Sequence, residues 1–194
     1  YQFRTIIRNT LLLSAYQLVA GVPAPIILAL LLNQLRFKRF KRIVQTVTYA
    51  PHFISTVVMV GMLFVFLSPR SGVINHFVEL LGGDPVNFMA RPEWFRTLYV
   101  GSEVWQRTGW GSIIYLAALS SIDPALHEAA IVDGASKLQR IRHIDIPGIM
   151  PTVMILLILN MGRLMSVGFQ KTFLMQTALN LETSEIIATY IYKV

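Results

Sequence analysis

Long apolar blocks separated by short polar segments make up most of the chain. No charged residue lies between Arg8 and Arg36, and none lies between Arg42 and Arg70. Each block is longer than the roughly 20 apolar residues that a helix needs to cross a hydrocarbon core about 30 Å thick. The pattern along the whole chain predicts four membrane-spanning helices, at about 9–33, 43–67, 97–119 and 147–169.

The composition agrees with a protein embedded in a membrane. Of the 194 residues, 54% are hydrophobic and 14% are charged, whereas soluble domains carry roughly 25% charged residues. So few charges cannot cover a water-facing surface, and we therefore predict an all-α integral membrane protein with one transmembrane domain over 1–194. The chain has no cysteine, which excludes disulfides and thiolate metal sites, and no histidine cluster has the spacing of a metal site.

Neither end of the sequence has the features of a natural terminus. It begins at Tyr1 without an initiating methionine or a signal-peptide pattern, and it stops at Val194. We therefore expect the chain to be a piece of a longer polypeptide, with spans missing at both ends.

The loop between the first two predicted spans is strongly basic. Residues 36–42 hold five Lys or Arg side chains and no acid. Short basic loops stay in the cytoplasm, which places 68–96 outside, 120–146 inside and 170–194 outside. A nucleic-acid patch is the alternative interpretation of these cations and of the net charge of +7, but the flanking spans explain the loop without such a partner.

Prolines and a short amphipathic stretch add detail to this topology. Pro23, Pro25 and Pro51 fall inside predicted spans, where proline kinks a helix, although prolines are also frequent in membrane helices in general. In the outer loop, the apolar residues between Gly72 and Leu81, interspersed with Asn75, His76 and Glu79, predict a short helix on the membrane surface. Such a helix could contact an extracytoplasmic partner or pack over the spans.

The polar segment 120–146 predicts a helical hairpin. Asp123 is a suitable N-cap, Pro124 suits the first helical position, and Gly134 suits the left-handed position that ends a helix. These signals predict a helix over 124–133, followed by a second, basic helix over 135–143.

The surface of the first hairpin helix is suited to a protein partner. Its alanines leave the surface shallow, and Glu128 and Asp133 offer carboxylates to a basic partner. Beyond the hairpin, Pro147 is expected to restart the chain as a membrane span. We interpret the helix as a rigid lever on which another protein pushes, and a solvated loop with helical propensity is the alternative.

A motif in this segment resembles the signature of a known family. Glu128-Ala129-Ala130 is followed after three residues by Gly134 and after nine more by Ile144, Ile146 and Pro147. This spacing resembles the EAA signature of binding-protein-dependent ABC importer permeases, with Ile146 where leucine is usual. Further stretches resemble the polysaccharide-type branch of carbohydrate permeases: Asn9–Leu11, Pro23–Ile26, Gln45-Thr46, Pro51–Ser55, Ser68-Pro69, Trp105-Gln106, Gly109-Trp110, Tyr115–Leu119, Gly168-Phe169 and Thr189–Tyr192.

The resemblance implies a fold, a location and partners. The fold would be the MetI-like helical bundle of the permeases, with four of six spans present here, in a bacterial cytoplasmic (inner) membrane. The chain would pair with a second permease, above two ATP-binding subunits and below an extracytoplasmic solute-binding protein. The chain has no Gly-x-x-x-x-Gly-Lys-Ser/Thr loop, so ATP and Mg would be bound by the partner ATPase and no cofactor by this chain.

The resemblance also assigns the helix 124–133 to coupling with the ATPase. The helix would sit in a groove of the ATPase, where Glu128 would meet a basic residue and Gly134 would allow the turn. Closure of the ATPase dimer would then switch the central cavity from inward-facing to outward-facing. The predicted coupling residues are Glu128, Ala129, Ala130, Asp133, Gly134, Ala135, Ile144 and Pro147.

Polar and aromatic residues inside the spans are candidates for the solute pathway. Glu103 and Arg107 stand at i and i+4 and can pair on one helix face, whereas Arg163 has no acid within a helical turn. A charge at mid-membrane costs roughly 2.5–3.5 kcal/mol on insertion scales, so it usually faces a cavity or a partner. Arg163 therefore suggests an acidic, uronate-type solute. The other candidates, for which ordinary packing is the alternative role, are Tyr16, Gln17, His52, Trp105, Trp110 and Asn160.

The predicted function is the membrane-spanning permease of an ATP-driven importer of oligosaccharides. One alternative keeps the architecture but moves another solute, such as an amino acid or phosphate. A second alternative is a channel or receptor without an ATPase partner. A membrane enzyme has less support, because no set of titratable groups converges in the sequence.

Overall fold

The computed structural model describes residues 2–162 and 167–193, and every regular element in these ranges is helical. This confirms the predicted all-α class. A 3₁₀ turn at Ala50–Phe53 follows α3, and a π-helical turn at Ile141–Asp145 joins α8 to α9. The helices are α1 (Gln2–Gly21), α2 (Pro23–Asn33), α3 (Lys38–Tyr49), α4 (Thr56–Phe66), α5 (Val73–Leu80), α6 (Pro92–Ser120), α7 (Pro124–Val132), α8 (Lys137–Arg140), α9 (Ile146–Met161), α10 (Phe169–Met175), α11 (Leu181–Ser184) and α12 (Ile187–Lys193).

By length and composition, two continuous helices among the described residues could cross a membrane, Phe3–Asn33 and Lys137–Met161. A third candidate is obtained when Lys38–Phe53 and Thr56–Phe66 are counted as one broken span. The predicted third span lies within α6, which is not among these candidates. The total of four spans therefore stays a prediction.

The predicted second span, 43–67, is interrupted rather than continuous. The helical backbone passes through the 3₁₀ turn that contains Pro51, which has no N–H to donate. A new helix then begins at Thr56, where the Ser55 hydroxyl accepts a hydrogen bond from the Val58 N–H at 3.3 Å. Pro51 thus marks a break in this segment, as proline at that position predicted.

The helix observed in the region of the predicted fourth span, 147–169, begins and ends at other residues than predicted. Pro147 does not begin a new helix, because one helix runs from Lys137 to Met161. The π-helical turn before Pro147 lets the Ile146 N–H donate to the Ile141 carbonyl, five residues earlier. This wider turn accommodates the proline ring without a break in the helix. The helix ends at Met161, well before residue 169.

The described residues form two compact units, each assembled from distant segments of the chain. The first unit contains residues 2–19, 54–104 and 167–193, and the second contains 20–53 and 105–162. Sequence analysis predicted a single domain.

Buried polar side chains hold the first unit together. Asn9 donates to the carbonyls of Glu182 (2.8 Å) and Glu185 (3.2 Å) and accepts from Arg96 at 2.9 Å, and Asn180 donates to the Met89 carbonyl at 2.9 Å. Three of these bonds satisfy backbone carbonyls, and the bond from Arg96 satisfies the Asn9 side-chain oxygen, so that these polar groups are not buried without a partner.

The outer-loop helix forms as predicted, but one of its polar residues has a different role. Helix α5 begins after Gly72 and ends before Gly82, whose φ is +83°. Asn75 is buried rather than on a polar surface. Its amide donates to the carbonyls of Leu67, Ser68 and Val86 and accepts from the Val86 N–H. Asn75 therefore fixes the loop on both sides of α5.

The second unit has a compact apolar core. Ala29 of α2, Tyr115 and Leu119 of α6 and Ile149 of α9 are all buried in one cluster. Other apolar side chains of the same three helices surround this cluster. The core therefore joins α2 and α9 to the C-terminal half of α6.

Candidate functional site

The predicted coupling helix forms, with the caps expected from the sequence. Helix α7 spans Pro124–Val132, and the Asp123 side chain accepts a hydrogen bond from the Ala125 N–H at 2.9 Å. Pro124 occupies the first helical position, where its missing N–H leaves no bond unmade. The N-terminal half of the predicted hairpin is thus confirmed.

The C-terminal end of α7 is a Schellman motif. Gly134 has a φ of +78° and donates its N–H to the Ile131 carbonyl at 3.0 Å. The Ala135 N–H donates to the Ala130 carbonyl at 2.8 Å. These are the two hydrogen bonds that define the motif, and they satisfy carbonyls at the helix end. Two residues of the EAA signature, Ala130 through its carbonyl and Gly134 through its positive φ, therefore belong to one turn.

The second hairpin helix begins two residues later than predicted. Ser136 is its N-cap and forms a capping box, because the Gln139 N–H reaches the Ser136 hydroxyl and the Gln139 side chain accepts from the Ser136 N–H. Ala135 therefore belongs to the turn between the helices and not to the second helix.

The hairpin presents a largely exposed surface. No residue of α7 is buried, and Glu128, Ala129, Asp133 and Gly134 are all exposed, while Pro147 is exposed on α9. Ala130, Ala135 and Ile144 are half-buried. Large apolar side chains lie on the same hairpin with high exposed fractions, namely Leu126 (54%), Ile131 (56%), Val132 (88%) and Leu138 (75%). Several large exposed apolar side chains on one short hairpin favour an interaction site.

One side chain of α7 is directed towards the rest of the second unit. The His127 Nε2 lies 3.3 Å from the Asp145 Oδ1, and the Gln34 amide donates to the Asp145 Oδ2 at 3.2 Å. Asp145 is fully buried in the π-helical turn before α9, and Gln34 caps the end of α2. Asp145 therefore links α7 to the ends of two apolar helices.

In the first unit, Glu103 has a partner that sequence analysis did not identify. The Lys171 ammonium donates to the Glu103 Oε2 at 2.8 Å and to the Tyr99 carbonyl at 3.0 Å. It also lies 4.6 Å from the centre of the Tyr99 ring. Both charged residues are buried, so the ion pair allows each charge to lie away from water.

In the second unit, His52 and Trp110 come together. Their rings are stacked with centroids 4.6 Å apart and planes within 2°, and Phe53 meets both rings edge-on. Phe53 and Trp110 keep exposed fractions of 74% and 46%. Flat, partly exposed aromatic rings are suited to stacking on a sugar face, in addition to their contact with one another.

Close packing of α6 against the end of α3 depends on Gly109. A Cβ atom at Gly109 would lie 1.9 Å from the Thr48 carbonyl oxygen. Gly109→Ala is therefore expected to lower stability by about 1–3 kcal/mol or more, since overpacking forces backbone shifts. The control is Gly101→Ala on the same helix, where nothing lies within 4 Å. Thermal unfolding of the purified protein compares the two variants, and equal melting temperatures would contradict the close approach.

The remaining pathway candidates are distributed over both units. Tyr16 and Gln17 belong to the first unit, and the exposed Trp105, Arg107 and Asn160 belong to the second. Arg163 lies outside the described residues. No group of three or more His, Asp or Glu side chains in residues 2–162 and 167–193 could hold a metal ion.

Lys171, His127, Asp145 and Gln34 were missed as functional candidates. One signal could have indicated a partner for Glu103, because a carboxylate inside a predicted span requires a cation nearby. Arg107, four positions further on, is the cation that sequence spacing indicates, and Lys171 is too distant in sequence for spacing to indicate it. The contact between Gln34 and Asp145 joins residues 111 positions apart, and no local sequence pattern predicts this contact.

The fold and the hairpin together define a class of protein. The family described as "Binding-protein-dependent transport system inner membrane component" matches residues 21–193. The chain therefore belongs to this family of inner-membrane permease components, with the MetI-like fold that the resemblance predicted.

Two curated proteins of Bacillus subtilis (strain 168) are similar over nearly the whole chain. The "Polygalacturonan/rhamnogalacturonan transport system permease protein YteP" is 44% identical over 98% of this chain and 59% of its own length. "Protein LplB" is 43% identical, again over 98% of this chain and over 60% of its own length. The chain thus spans about three fifths of the length of these relatives.

A solved structure has nearly the same backbone. It is a bacterial ABC transporter involved in the import of the acidic polysaccharide alginate, with a TM-score of 0.97 and 45% identity. The match covers 100% of this chain and 68% of that chain. A second structure of an alginate ABC transporter, with the same TM-score and identity, is in complex with an alginate pentasaccharide-bound periplasmic protein.

Proposed function

We propose that the chain is the permease subunit of an ATP-driven importer that moves acidic oligosaccharides. The observation that carries this proposal is helix α7, which has the EAA spacing, ends in a Schellman turn and buries none of its residues. A short, well-capped and exposed helix in a membrane protein supports docking to another subunit.

The transporter would contain partners that supply energy and solute. A second, related permease would complete the membrane unit, an ATPase dimer would bind ATP and Mg and receive α7, and an extracytoplasmic binding protein would deliver the solute. No cofactor would be bound by this chain. The family membership supports this assembly, since its members work with a binding protein.

The contacts of Asp145 suggest how movement of α7 would reach the membrane. When the ATPase subunits close, α7 is displaced with them. The contact from His127 to Asp145 carries that displacement to the start of α9, and the hydrogen bond from Gln34 carries it to the end of α2. Both helices also share the core of the second unit, so they would tilt together.

The proposed solute is an oligosaccharide that carries carboxylates. The names of one curated relative and two solved structures support it, since polygalacturonan and alginate are acidic polysaccharides. The stacked rings of His52 and Trp110, with Phe53 beside them, would lie against sugar faces.

Arg163→Met is expected to reduce uptake of a uronate oligosaccharide far more than uptake of a neutral one. Equal effects on the two solutes in proteoliposomes would contradict the proposal of an acidic solute, but would leave the proposal of an importer intact.

Cross-linking tests the proposed docking of α7. Because the chain lacks cysteine, Ala129→Cys gives a single reactive thiol on the exposed face of α7. We expect it to cross-link to the ATPase subunit in membranes, with a yield that changes when ATP is added. Ser71→Cys, exposed just before α5, is the control and should capture no ATPase. A channel or receptor would give no ATPase adduct from Ala129→Cys either.

A further inference from the structure

Helix α3 carries a surface that the proposed transport cycle does not use. None of its residues, Lys38–Tyr49, is buried. The preceding Arg36 and Phe37 are exposed as well, with Phe37 at 79%. Five cations lie on or directly before the first turns of the helix: Arg36, Lys38, Arg39, Lys41 and Arg42. We call them the α3 cations.

The side chains of α3 are divided between an apolar and a basic side. Phe40, Ile43 and Val47 follow one another at i, i+3 and i+7, and therefore form one stripe. Their exposed fractions are 54%, 60% and 65%. Lys38 and Arg42, four residues apart, lie on the opposite side of the helix. Among the residues that the structure describes, more than half of each of these apolar side chains therefore remains exposed.

The charge of this surface is of one sign. No acidic residue precedes Glu79 in the sequence. Within the part of the chain that the structure describes, none of the α3 cations takes part in an ion pair. Among the described residues, the positive charge of this surface is therefore not compensated by an ion pair, and it attracts anions.

The position of α3 in the chain indicates which anions its cations would meet. The helix Phe3–Asn33 is apolar enough to cross a membrane, and α3 begins at Lys38, a few residues after its end. The intervening segment 34–37 can reach at most about 14 Å when extended. The α3 cations are therefore held close to a bilayer surface, where the abundant anions are lipid phosphates.

We propose that α3 lies in the membrane interface and binds the headgroups of anionic phospholipids. The stripe of Phe40, Ile43 and Val47 enters the acyl boundary, and the α3 cations meet the phosphates, as in other basic amphipathic helices. Each Lys or Arg near an anionic surface strengthens such binding about fivefold. This site requires neither the ATPase nor the solute, so it stands or falls separately from the proposed function.

Spin labels can test the placement of α3. The intact transporter with its partner subunits is reconstituted in mixed vesicles of phosphatidylcholine and phosphatidylglycerol, with single cysteines at Ile43, Val47, Lys38 or Thr46. We expect nitroxides at Ile43 and Val47 to be relaxed by oxygen, and those at Lys38 and Thr46 by a water-soluble nickel complex. Relaxation by nickel at all four positions would overturn the proposal. Shielding of Ile43 and Val47 from both reagents would also overturn it, because a protein partner would then cover the stripe.

Lipid selectivity is tested with a fluorophore on Ile43→Cys. Quenching is compared in the same mixed vesicles with bromine carried either by phosphatidylglycerol or by phosphatidylcholine, at equal total bromine. We expect brominated phosphatidylglycerol to quench more strongly. The triple variant R39Q/K41Q/R42Q should lose this preference, with an affinity for the anionic lipid lower by about a hundredfold. The control R70Q/R91Q, which removes two exposed arginines elsewhere, should keep it. A preference that survives the triple variant, or is absent from the parent, would contradict the proposal.

Discussion

Gly134→Val is expected to lower transport by about tenfold or more while the protein still reaches the membrane. Gly134 has a φ of +78°, and the left-handed conformation costs an ordinary residue roughly 1–2 kcal/mol, with β-branched residues the worst. That energy changes the population of the Schellman turn by a factor of about 5–30. Loss of the turn would release Ala135 from the Ala130 carbonyl and displace α7 from its docking position. Solute uptake and binding-protein-stimulated ATP hydrolysis in proteoliposomes measure the effect.

Gly82 provides a matched control for this substitution. Gly82 has a φ of +83°, ends the exposed helix α5 and has no atom within 4 Å of an added Cβ, as is true at Gly134. Gly82→Val therefore creates similar backbone strain outside the coupling segment. We expect it to reduce transport much less than Gly134→Val. Asn is better tolerated in this conformation, so Gly134→Asn should be intermediate. Equal losses from Gly82→Val and Gly134→Val would show that strain, and not the hairpin, is responsible.

Structural features that depend on a few neighbouring residues could be predicted from the sequence. The caps of α7, Asp123 and Gly134, bond to backbone groups two and three positions away. Both partners of each bond therefore lie within one short stretch of sequence. The apolar blocks predicted the spanning character of Phe3–Asn33 for a similar reason, because hydropathy sums over contiguous residues. Family resemblance then identified the class, since the EAA spacing is specific.

Interactions between distant segments could not be predicted in the same way. Sequence analysis expected that Glu103 can pair with Arg107, because i and i+4 are neighbours on a helix. The structure adds a partner for Glu103, Lys171, which lies 68 positions away. Asn75 looked like a polar residue of a surface helix, but three loop carbonyls need its amide. In both cases a buried polar group takes the partner that the tertiary fold provides, and sequence spacing holds no information about it.

The link from His127 through Asp145 is expected to determine how efficiently ATP hydrolysis drives transport. His127→Ala leaves Asp145 fully buried, with the Gln34 amide and the charge of Arg140 as its remaining polar neighbours. Removing one partner of a buried pair is destabilising by up to about 3–5 kcal/mol. Because the His127 side chain is 27% exposed, we expect a smaller effect on stability. We expect α7 to remain docked on the ATPase, so that ATP hydrolysis continues while the solute moved per ATP falls severalfold.

A double-mutant cycle separates this link from general damage to the fold. Asp145→Ala removes the buried charge together with its contacts, so His127→Ala/Asp145→Ala should be no worse than the more impaired single variant. Asp84→Ala, an exposed carboxylate outside the coupling segment, is the control and should leave the ratio of uptake to ATP hydrolysis unchanged. Independent, additive losses at His127 and Asp145 would mean that the two side chains do not act as a pair. If ATP hydrolysis and uptake fell in parallel in His127→Ala, the result would instead indicate that α7 no longer docks. Movement of α7 would then be transmitted to α9 and α2 through other contacts.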